Sequence, residues 1–220
     1  MEQIQYELIR RIASVVGHEL RNPLAVINNS AYFVKTKLGA AQDQDPKVAK
    51  HLGIIASEIA RADRLISDLL RFSRALELKP APVDLCAVAD EALQACALPE
   101  GVKVKREKAK APVQADAAVL ADALRRILDN AAEAMDGSGT LSVAVGADKA
   151  RAFVEVRDTG PGIKPEALPS VFQPFFTTKP RGLGLGLAVA QKAAAAHGGA
   201  VEARNLPGGG ACVTLSLPKA

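Results

Sequence analysis

Apolar residues in the first third of the chain recur every three or four positions, which is the period of a helix. The first stripe runs over Ile4, Leu8, Ile12, Val15, Val16, Leu20, Leu24, Ile27, Ala31, Val34 and Leu38. A second stripe runs over Val48, Leu52, Ile55, Ile59, Ala62, Leu65, Ile66, Leu69, Phe72 and Leu76, and the polar, breaker-rich segment Gly39–Pro46 separates the two. The pattern predicts a helical hairpin over residues 1–78. Because the spacing is close to a heptad repeat, it also predicts pairing with a second copy into a dimeric four-helix bundle.

After a predicted linker at 79–83, which contains two prolines, the pattern changes to mixed helix and strand periods. We expect helices over Asp84–Ala97, Asp116–Met135 and Leu187–Ala196, and strands over Val102–Arg106, Leu141–Val145, Ala152–Val156, Ala200–Arg204 and Ala211–Leu217. Asp84 is a predicted N-cap. Residues 84–220 are therefore predicted to form an α/β sandwich, in which helices cover one face of a sheet.

Composition narrows the classes of function. Of the 220 residues 49% are hydrophobic but only 4% are aromatic, so we expect aliphatic cores. The net charge is +4, and the basic residues are scattered along the chain. No basic run is interleaved with aromatics, which argues against a nucleic-acid partner. Three widely spaced cysteines, Cys86, Cys96 and Cys212, show no metal-ligand spacing and fit a reducing cytoplasm. No stretch approaches the roughly 20 apolar residues that cross a bilayer.

The segment His-Glu-Leu-Arg-Asn-Pro at residues 18–23 interrupts the first stripe with polar residues. His18 falls between two apolar positions, so its side chain points away from the stripe and toward water. Asn22 lies one turn later on the same face, and Glu19 flanks the histidine. Pro23 cannot donate to the carbonyl of Glu19, which loosens the helix. Taken alone, this pattern fits a reactive imidazole and a plain surface histidine equally well.

Two motifs of the second half suit the base and the metal of a nucleotide. Asp158 follows a predicted strand and precedes Gly160 and Gly162, which permit close approach of a ligand. Its carboxylate is suited to accept a hydrogen bond from an adenine amino group. Asn130 lies on the long predicted helix and offers an amide oxygen to Mg²⁺, which needs few protein ligands beside phosphates and waters.

Two further motifs suit the phosphates. Residues 182–187 open a helix with a glycine run whose backbone N–H groups and helix dipole would attract a phosphate, and the residues concerned are Gly182, Gly184, Gly186 and Leu187. The segment Phe172–Lys179 precedes this run. We expect its aromatics, including Phe175, to anchor a mobile lid, with Thr178 beside the nucleotide and Lys179 against the phosphate oxygens.

In this order and spacing, the motifs resemble the catalytic core of the sensor histidine kinases of two-component signalling. Residues 18–24 resemble that family's phosphoacceptor box, and residues 121–135, 158–163, 172–179 and 182–187 resemble its N, G1, F and G2 boxes. The short lid looks most like the nitrogen-regulator subgroup. The second half resembles the GHKL, or Bergerat-type, ATP-binding fold shared with gyrase and the Hsp90 chaperones.

The resemblance implies ATP and Mg²⁺ as cofactors and a homodimer as the assembly. It implies autophosphorylation of His18, with Glu19 accepting or orienting a proton, and transfer of the phosphoryl group to an aspartate of a response-regulator receiver domain. It also implies dephosphorylation of that regulator, with Asn22 orienting the water. The chain begins only a few turns before His18, so we expect a sensor module outside it, in a longer parent that a membrane could anchor.

Two positions depart from the family's pattern. Arg126 stands where the N box usually carries an asparagine, and it could contact phosphate or pack outward. Glu133 stands where many members carry a lysine, so Lys179 is left to neutralise the phosphates. We therefore expect slow kinase activity. The alternatives are a core dominated by phosphatase activity and a nucleotide-gated dimer scaffold; a GHKL Ser/Thr kinase would leave the His-Glu-x-x-Asn site unexplained. His197 is predicted as a helix-terminus residue.

Overall fold

The computed structural model describes residues 20–22, 24–36, 38–39, 46–179 and 183–219. Residues of the sequence analysis that lie outside these ranges are the start of the first stripe, up to Val16, and His18, Glu19, Pro23 and Gly182. The chain divides into two compact units between Ala75 and Leu76. None of the helices in the described ranges is long and apolar enough to cross a membrane.

The first unit contains two helical stretches. Residues 20–22 and 24–36 are helical, and a second helix, α1, spans Pro46–Ser73. Arg21 connects the two stretches, because its Nε lies 3.3 Å from Asp63 Oδ1 and its Nη2 donates to Ser67 Oγ at 3.1 Å. These contacts confirm that the two predicted helices lie side by side.

The described part of the second unit, residues 76–179 and 183–219, contains three helices and seven strands. Their bounds are β1 (Ala81–Asp84), α2 (Leu85–Gln94), β2 (Gly101–Glu107), β3 (Pro112–Ala115), α3 (Ala117–Ala134), β4 (Ser138–Ala147), β5 (Arg151–Arg157), α4 (Gly186–Ala196), β6 (Ala200–Asn205) and β7 (Ala211–Pro218). A short 3₁₀ turn occupies Leu168–Ser170. Five strands form one sheet in the order β2-β4-β5-β7-β6, in which only the β2–β4 pair is parallel. All predicted helices and strands of this half are present within a few residues of their predicted ends.

The core lies between the sheet and the three helices. Alternate residues of the central strands are buried, as expected for strands with one covered face: Leu141, Val143 and Val145 on β4, and Ala152, Val154 and Val156 on β5. From the helices, the buried contributors include Leu85, Leu120, Leu124, Ile127, Leu128 and Ala190. The core is aliphatic, and the predicted sheet with helices on one face is confirmed.

The structure differs from the predicted linker at 79–83. Residues 81–83 belong to β1, which pairs antiparallel with β3 in a separate two-stranded sheet. A proline in so short an edge strand removes few hydrogen bonds, so Pro82 is compatible with pairing although it masked the strand in the sequence. Asp84 then caps α2 as predicted, because its Oδ1 accepts from Cys86 N at 3.0 Å, and it also accepts from Ala111 N at 3.1 Å.

Candidate functional site

Asp158 lies directly after β5 and is buried, with 6% of its surface exposed. Its backbone N–H donates to Ala211 O at 3.0 Å, which extends the β5–β7 pairing by one residue. Its Oδ1 accepts from Gly160 N at 2.9 Å and from Ala211 N at 3.3 Å. The carboxylate is therefore oriented by two backbone amides. Its Oδ2 takes part in neither of these bonds.

The two glycines after Asp158 are required by the space around them. A Cβ at Gly160 would lie 2.8 Å from Ala134 O. Gly162 has φ +77°, and a Cβ there would lie 2.9 Å from Asn205 Oδ1. Any larger residue at either position would displace the loop, because there is no room for a Cβ between the loop and the protein atoms around it. The close contacts at these two glycines are made with the protein itself, and the predicted close approach of a ligand stays a prediction.

The loop is fastened to its neighbours at two more points. Thr159 Oγ1 accepts from Thr140 N at 2.9 Å, which links the loop to β4. Asn205, the last residue of β6, accepts from Ile163 N at 2.7 Å and donates to Ile163 O at 2.6 Å. The sequence analysis missed Asn205. The only signal for it was the glycine-rich turn that follows it, which was interpreted simply as the end of a hairpin.

Asn130 and Lys179 are in direct contact, although 49 residues separate them. Lys179 Nζ donates to Asn130 Oδ1 at 2.7 Å and to Glu133 Oε2 at 2.6 Å. Asn130 and Glu133 are one turn apart on α3, so their side chains share a face. The ammonium group therefore lies where a cation would meet the amide oxygen. The amide oxygen of Asn130 is a ligand of the kind that a hard cation such as Mg²⁺ accepts.

The lid segment packs against the glycine run. Phe175 N donates to Gly184 O at 3.0 Å, and a Cβ at Gly184, which has φ +68°, would lie 2.4 Å from Phe176 O. Phe175 also has positive φ, at +66°, and its side chain is exposed, so it is not a core residue. The requirement for glycine at 184 thus comes from the lid backbone. Thr178 lies in the same segment, beside Lys179.

The start of α4 retains the features of a phosphate-binding terminus. Gly186 is its first residue, and a Cβ there would meet nothing within 4 Å. The N-cap residue, Leu185, makes no side-chain capping bond to the first turn. Leu187 is partly buried against the core. The backbone N–H groups of this turn are therefore not capped by the residue that usually supplies a side-chain acceptor, which suits an anionic ligand.

The two departures from the family's pattern have different surroundings. Arg126 is buried, and its Nε donates to Asp122 Oδ2 at 3.0 Å, so outward packing, one of the two alternatives for this residue, is wrong, and the contact with phosphate stays a prediction. Its charge is compensated within α3. Glu133 is exposed and holds Lys179. In the first unit, Asn22 is an exposed helical residue, as predicted.

Two family models match the chain. Residues 8–77 match the His Kinase A (phospho-acceptor) domain, and residues 115–220 match the histidine kinase-, DNA gyrase B-, and HSP90-like ATPase. Among curated proteins, sensor histidine kinase ZraS of Klebsiella oxytoca is 35% identical over 213 residues, which are 94% of this chain and 45% of that protein. Signal transduction histidine-protein kinase AtoS of Escherichia coli K12 is 33% identical over 211 residues, which are 92% of this chain and 34% of that protein. The chain thus spans less than half the length of these relatives.

Solved structures show the same architecture. Full-length ShkA in complex with AMPPNP superposes with a TM-score of 0.78 at 27% identity, covering 96% of this chain and 46% of that one. The mycobacterial sensor histidine kinase MprB superposes with a TM-score of 0.59 at 29% identity, covering 64% of this chain and 98% of that one. The likeness to ShkA thus extends over nearly the whole chain.

Proposed function

We propose, for a chain that carries the phospho-acceptor and ATPase domains of the sensor histidine kinases, that it phosphorylates its own His18 with ATP. The observation that carries the proposal is the contact of Asn130 with Lys179 beside the lid, together with the oriented carboxylate of Asp158. Membership of the nitrogen-regulator subgroup stays a prediction, supported by the short lid.

In this proposal Asp158 recognises the base. Its Oδ1 is occupied by the amides of Gly160 and Ala211, so Oδ2 is the oxygen that accepts from the adenine amino group. A base that presents a carbonyl oxygen at that position would face the carboxylate with an acceptor, which disfavours its binding. Adenine nucleotides are therefore the proposed substrates.

Asn130 and Lys179 serve the phosphate end. Mg²⁺, when bound, would supply positive charge that neutralises the phosphates. Asn130 would supply its amide oxygen to the metal, which requires that Lys179 leave that oxygen. The released ammonium is then free to meet the phosphates as a point charge. The backbone N–H groups in the first turn of α4, from Gly186 onward, would donate further hydrogen bonds to phosphate oxygens.

The proposed chemical step is an in-line phosphoryl transfer. A ring nitrogen of neutral His18 attacks the γ-phosphorus, a P–N bond forms, and the bond to the bridging oxygen breaks to release ADP. Glu19 accepts or orients the proton on the other ring nitrogen, which raises the nucleophilicity of the attacking one. Asn22, one turn away and exposed, would serve a separate phosphatase reaction, in which it orients a water that attacks the phosphorus of a docked phospho-aspartate, so that the acyl phosphate bond breaks and inorganic phosphate leaves.

We further propose a homodimer and a response-regulator receiver domain as partners. Large apolar side chains of the first unit are exposed within one copy, among them Leu20, Ile27, Val34, Ile54 and Ile55. Several of these belong to the near-heptad stripes, so a second copy would cover them. The receiver domain would supply the aspartate that takes the phosphoryl group from His18.

One observation favours the second candidate, a core with a slow kinase step and dominant phosphatase activity. Lys179 is paired with Glu133 as well as bonded to Asn130. Loading the site must break both contacts, whereas the phosphatase step proposed for Asn22 needs neither.

The test is a labelling experiment with ATP that is radiolabelled in its γ-phosphate, with Mg²⁺ present. We expect acid-labile phosphate on wild type, none on His18→Gln, and retained ATP binding in both. His51→Gln is the matched control, since His51 is an exposed helical histidine of the same unit. Nucleotide binding without any label would instead identify a nucleotide-gated scaffold, and label on His18→Gln would show that the acceptor is another residue.

A further inference from the structure

Asn205 makes a two-way contact with a single residue 42 positions away. Its Oδ1 accepts from Ile163 N at 2.7 Å, and its Nδ2 donates to Ile163 O at 2.6 Å. The side-chain amide thus bonds both backbone groups of Ile163, as a neighbouring β-strand would. Both bonds are short for N–H···O geometry, so the amide holds the end of the Asp158 loop in one position.

The turn that follows Asn205 holds the other end of the same loop. Gly210 has φ +85°, and a Cβ there would lie 2.0 Å from Asp158 O. Ala211 O accepts from the backbone N–H of Asp158, and Ala211 N–H donates to the side-chain Oδ1 of Asp158. Gly162 lies between the two attachment points, against Asn205 Oδ1 and Gly210 O. The β6–β7 turn and the Asp158 loop therefore fit together only in this arrangement.

We propose that Asn205 is a positioning residue for recognition of the nucleotide base. The inference rests on the proposed function, in which Asp158 Oδ2 accepts from the exocyclic amino group of adenine. Asn205 acts through Ile163 and the loop, not by touching the nucleotide. By holding Ile163 it keeps the segment from Asp158 to Ile163 in the one conformation that directs Oδ2 at the base.

The energetic consequence is specific to the base. When Asn205 is shortened, the amide and carbonyl of Ile163 turn to water and the loop gains conformations that binding must then remove. The contact that weakens is the hydrogen bond from the amino group to Asp158, because this bond depends on the position of the carboxylate. A purine nucleotide without that amino group has no such bond to lose.

The test compares the affinity of the full chain for two nucleotides, ATP and purine riboside triphosphate, which lacks the exocyclic amino group. Isothermal calorimetry with Mg²⁺ present would be run on wild type, Asn205→Ala, Asn205→Asp and Glu202→Ala. Glu202 is an exposed residue of the same strand, which makes it the matched control for changes to the hairpin. Thermal unfolding of each variant reports whether the fold is kept.

We expect Asn205→Ala to lower the affinity for ATP by about tenfold, as for the loss of a net hydrogen-bond contribution, and to change the affinity for the amino-free analogue far less. Asn205→Asp keeps the acceptor for Ile163 N and loses the donor to Ile163 O, so its loss should be intermediate. Glu202→Ala should keep the wild-type ratio of the two affinities.

Equal losses for both nucleotides would overturn the inference, since they would show that Asn205 only supports the hairpin. If Asn205→Ala does not fold, the ratio measured on Asn205→Asp decides in the same way. A wild-type protein that binds ATP no better than the analogue would instead refute the base contact of Asp158, and the inference would fall with that part of the proposed function. The two failures are thereby distinguished.

Discussion

At the scale of single residues, Lys179 provides the candidate site with a positive charge that already has partners within the protein. Its ammonium is shared between an amide oxygen and a carboxylate oxygen one turn apart on α3. Binding of a metal and a triphosphate is then an exchange of partners and not the filling of a charged, unpaired site. The departure at Glu133 is what completes this arrangement, because a lysine at that position would repel Lys179.

Glu133→Gln should raise the affinity for Mg-ATP. The change removes the charge that holds Lys179 but keeps a side chain of the same size. Both partners are well exposed, so the pair is screened and we expect an effect of only about two- to fivefold. Calorimetric titrations at low and high salt check this, because the difference from wild type should shrink as salt rises. Glu91→Gln, at an exposed site on α2, is the control, and an unchanged or lowered affinity in Glu133→Gln would contradict the exchange.

The residue scale is also where the sequence predicted least. Asn130, Asp158 and Lys179 belong to recognisable motifs, and two of them meet as the motifs suggest. Asn205 belongs to no motif, since its bond to Ile163 depends on how β6 lies beside the loop. The same holds for Gly162. A Cβ at this position would clash with Asn205, so the requirement for glycine is evident only once the position of Asn205 is known. Contacts of this kind follow from tertiary structure and leave no local periodicity.

At the scale of elements, the local apolar pattern predicts the elements that are long enough to show several repeats of their period. The helices and the strands of the main sheet follow their apolar spacing to within a few residues. The pair β1–β3 was missed because each strand has four residues, too few to show alternation, and because Pro82 resembles a linker residue. Asp116 is a second feature that the sequence analysis did not predict in full. The start of α3 was predicted, but the hydrogen bonds from Ala118 N and Val119 N to Asp116 that cap it were not.

Asp116 should make the stability of the fold dependent on pH at the acid end. Hydrogen bonds from the backbone N–H of Lys79 and then of Val119 hold the pKa of this carboxyl below its ordinary value. A lowered pKa in the folded state contributes stability above the unfolded value, about 3.9, and that stability is lost as the pH falls through the folded value. We therefore expect Asp116→Asn to melt below wild type at pH 7, and the gap between them to narrow as the pH falls below the unfolded value.

The control for this prediction is Asp116→Ala, which removes the cap itself. Losing the bonds to Ala118 and Val119 should cost about 1 kcal/mol of unfolding free energy relative to Asp116→Asn, and this difference should be the same at every pH because neither variant carries the charge. Melting temperatures across the acid range check both variants. A gap between wild type and Asp116→Asn that does not narrow on acidification would contradict the role of the charge.

Gly184 and Gly186 should respond differently to the same substitution, although they lie in one motif. Gly184→Ala places a methyl group against Phe176 O in a left-handed conformation, which should cost about 1–3 kcal/mol and loosen the lid. Gly186→Ala adds the same methyl group at the first position of α4, in open space and at negative φ, and should leave the fold as stable or more so. Denaturant unfolding of the two variants checks this, and equal destabilisation would refute the packing described for Gly184.

At the scale of the whole molecule, the first unit carries an apolar surface that its own helices do not cover. Ile27 and Val34 are exposed at 49% and 46%, although both lie on the stripe that predicts packing. Both units therefore follow the same rule of apolar spacing, but among the described residues of the first unit burial of apolar side chains within one chain is confined to the end of α1, at Ile66, Leu70 and Phe72. A single chain shows which face is open, and the partner that covers it is a matter for solution measurements.

Ile27→Lys should convert the proposed dimer into a monomer. The change places a charge in the centre of the stripe, where a second copy would bury it without a partner, and that burial should weaken association by at least about a hundredfold. Val26→Lys is the matched control, because Val26 is adjacent and 64% exposed but lies about 100° around the helix from Ile27. Light scattering at micromolar concentration measures the mass, and circular dichroism shows whether helix is kept. A wild-type monomer would refute the dimer. An Ile27→Lys protein that stays dimeric while Val26→Lys dissociates would show that the interface uses the other face of the helix.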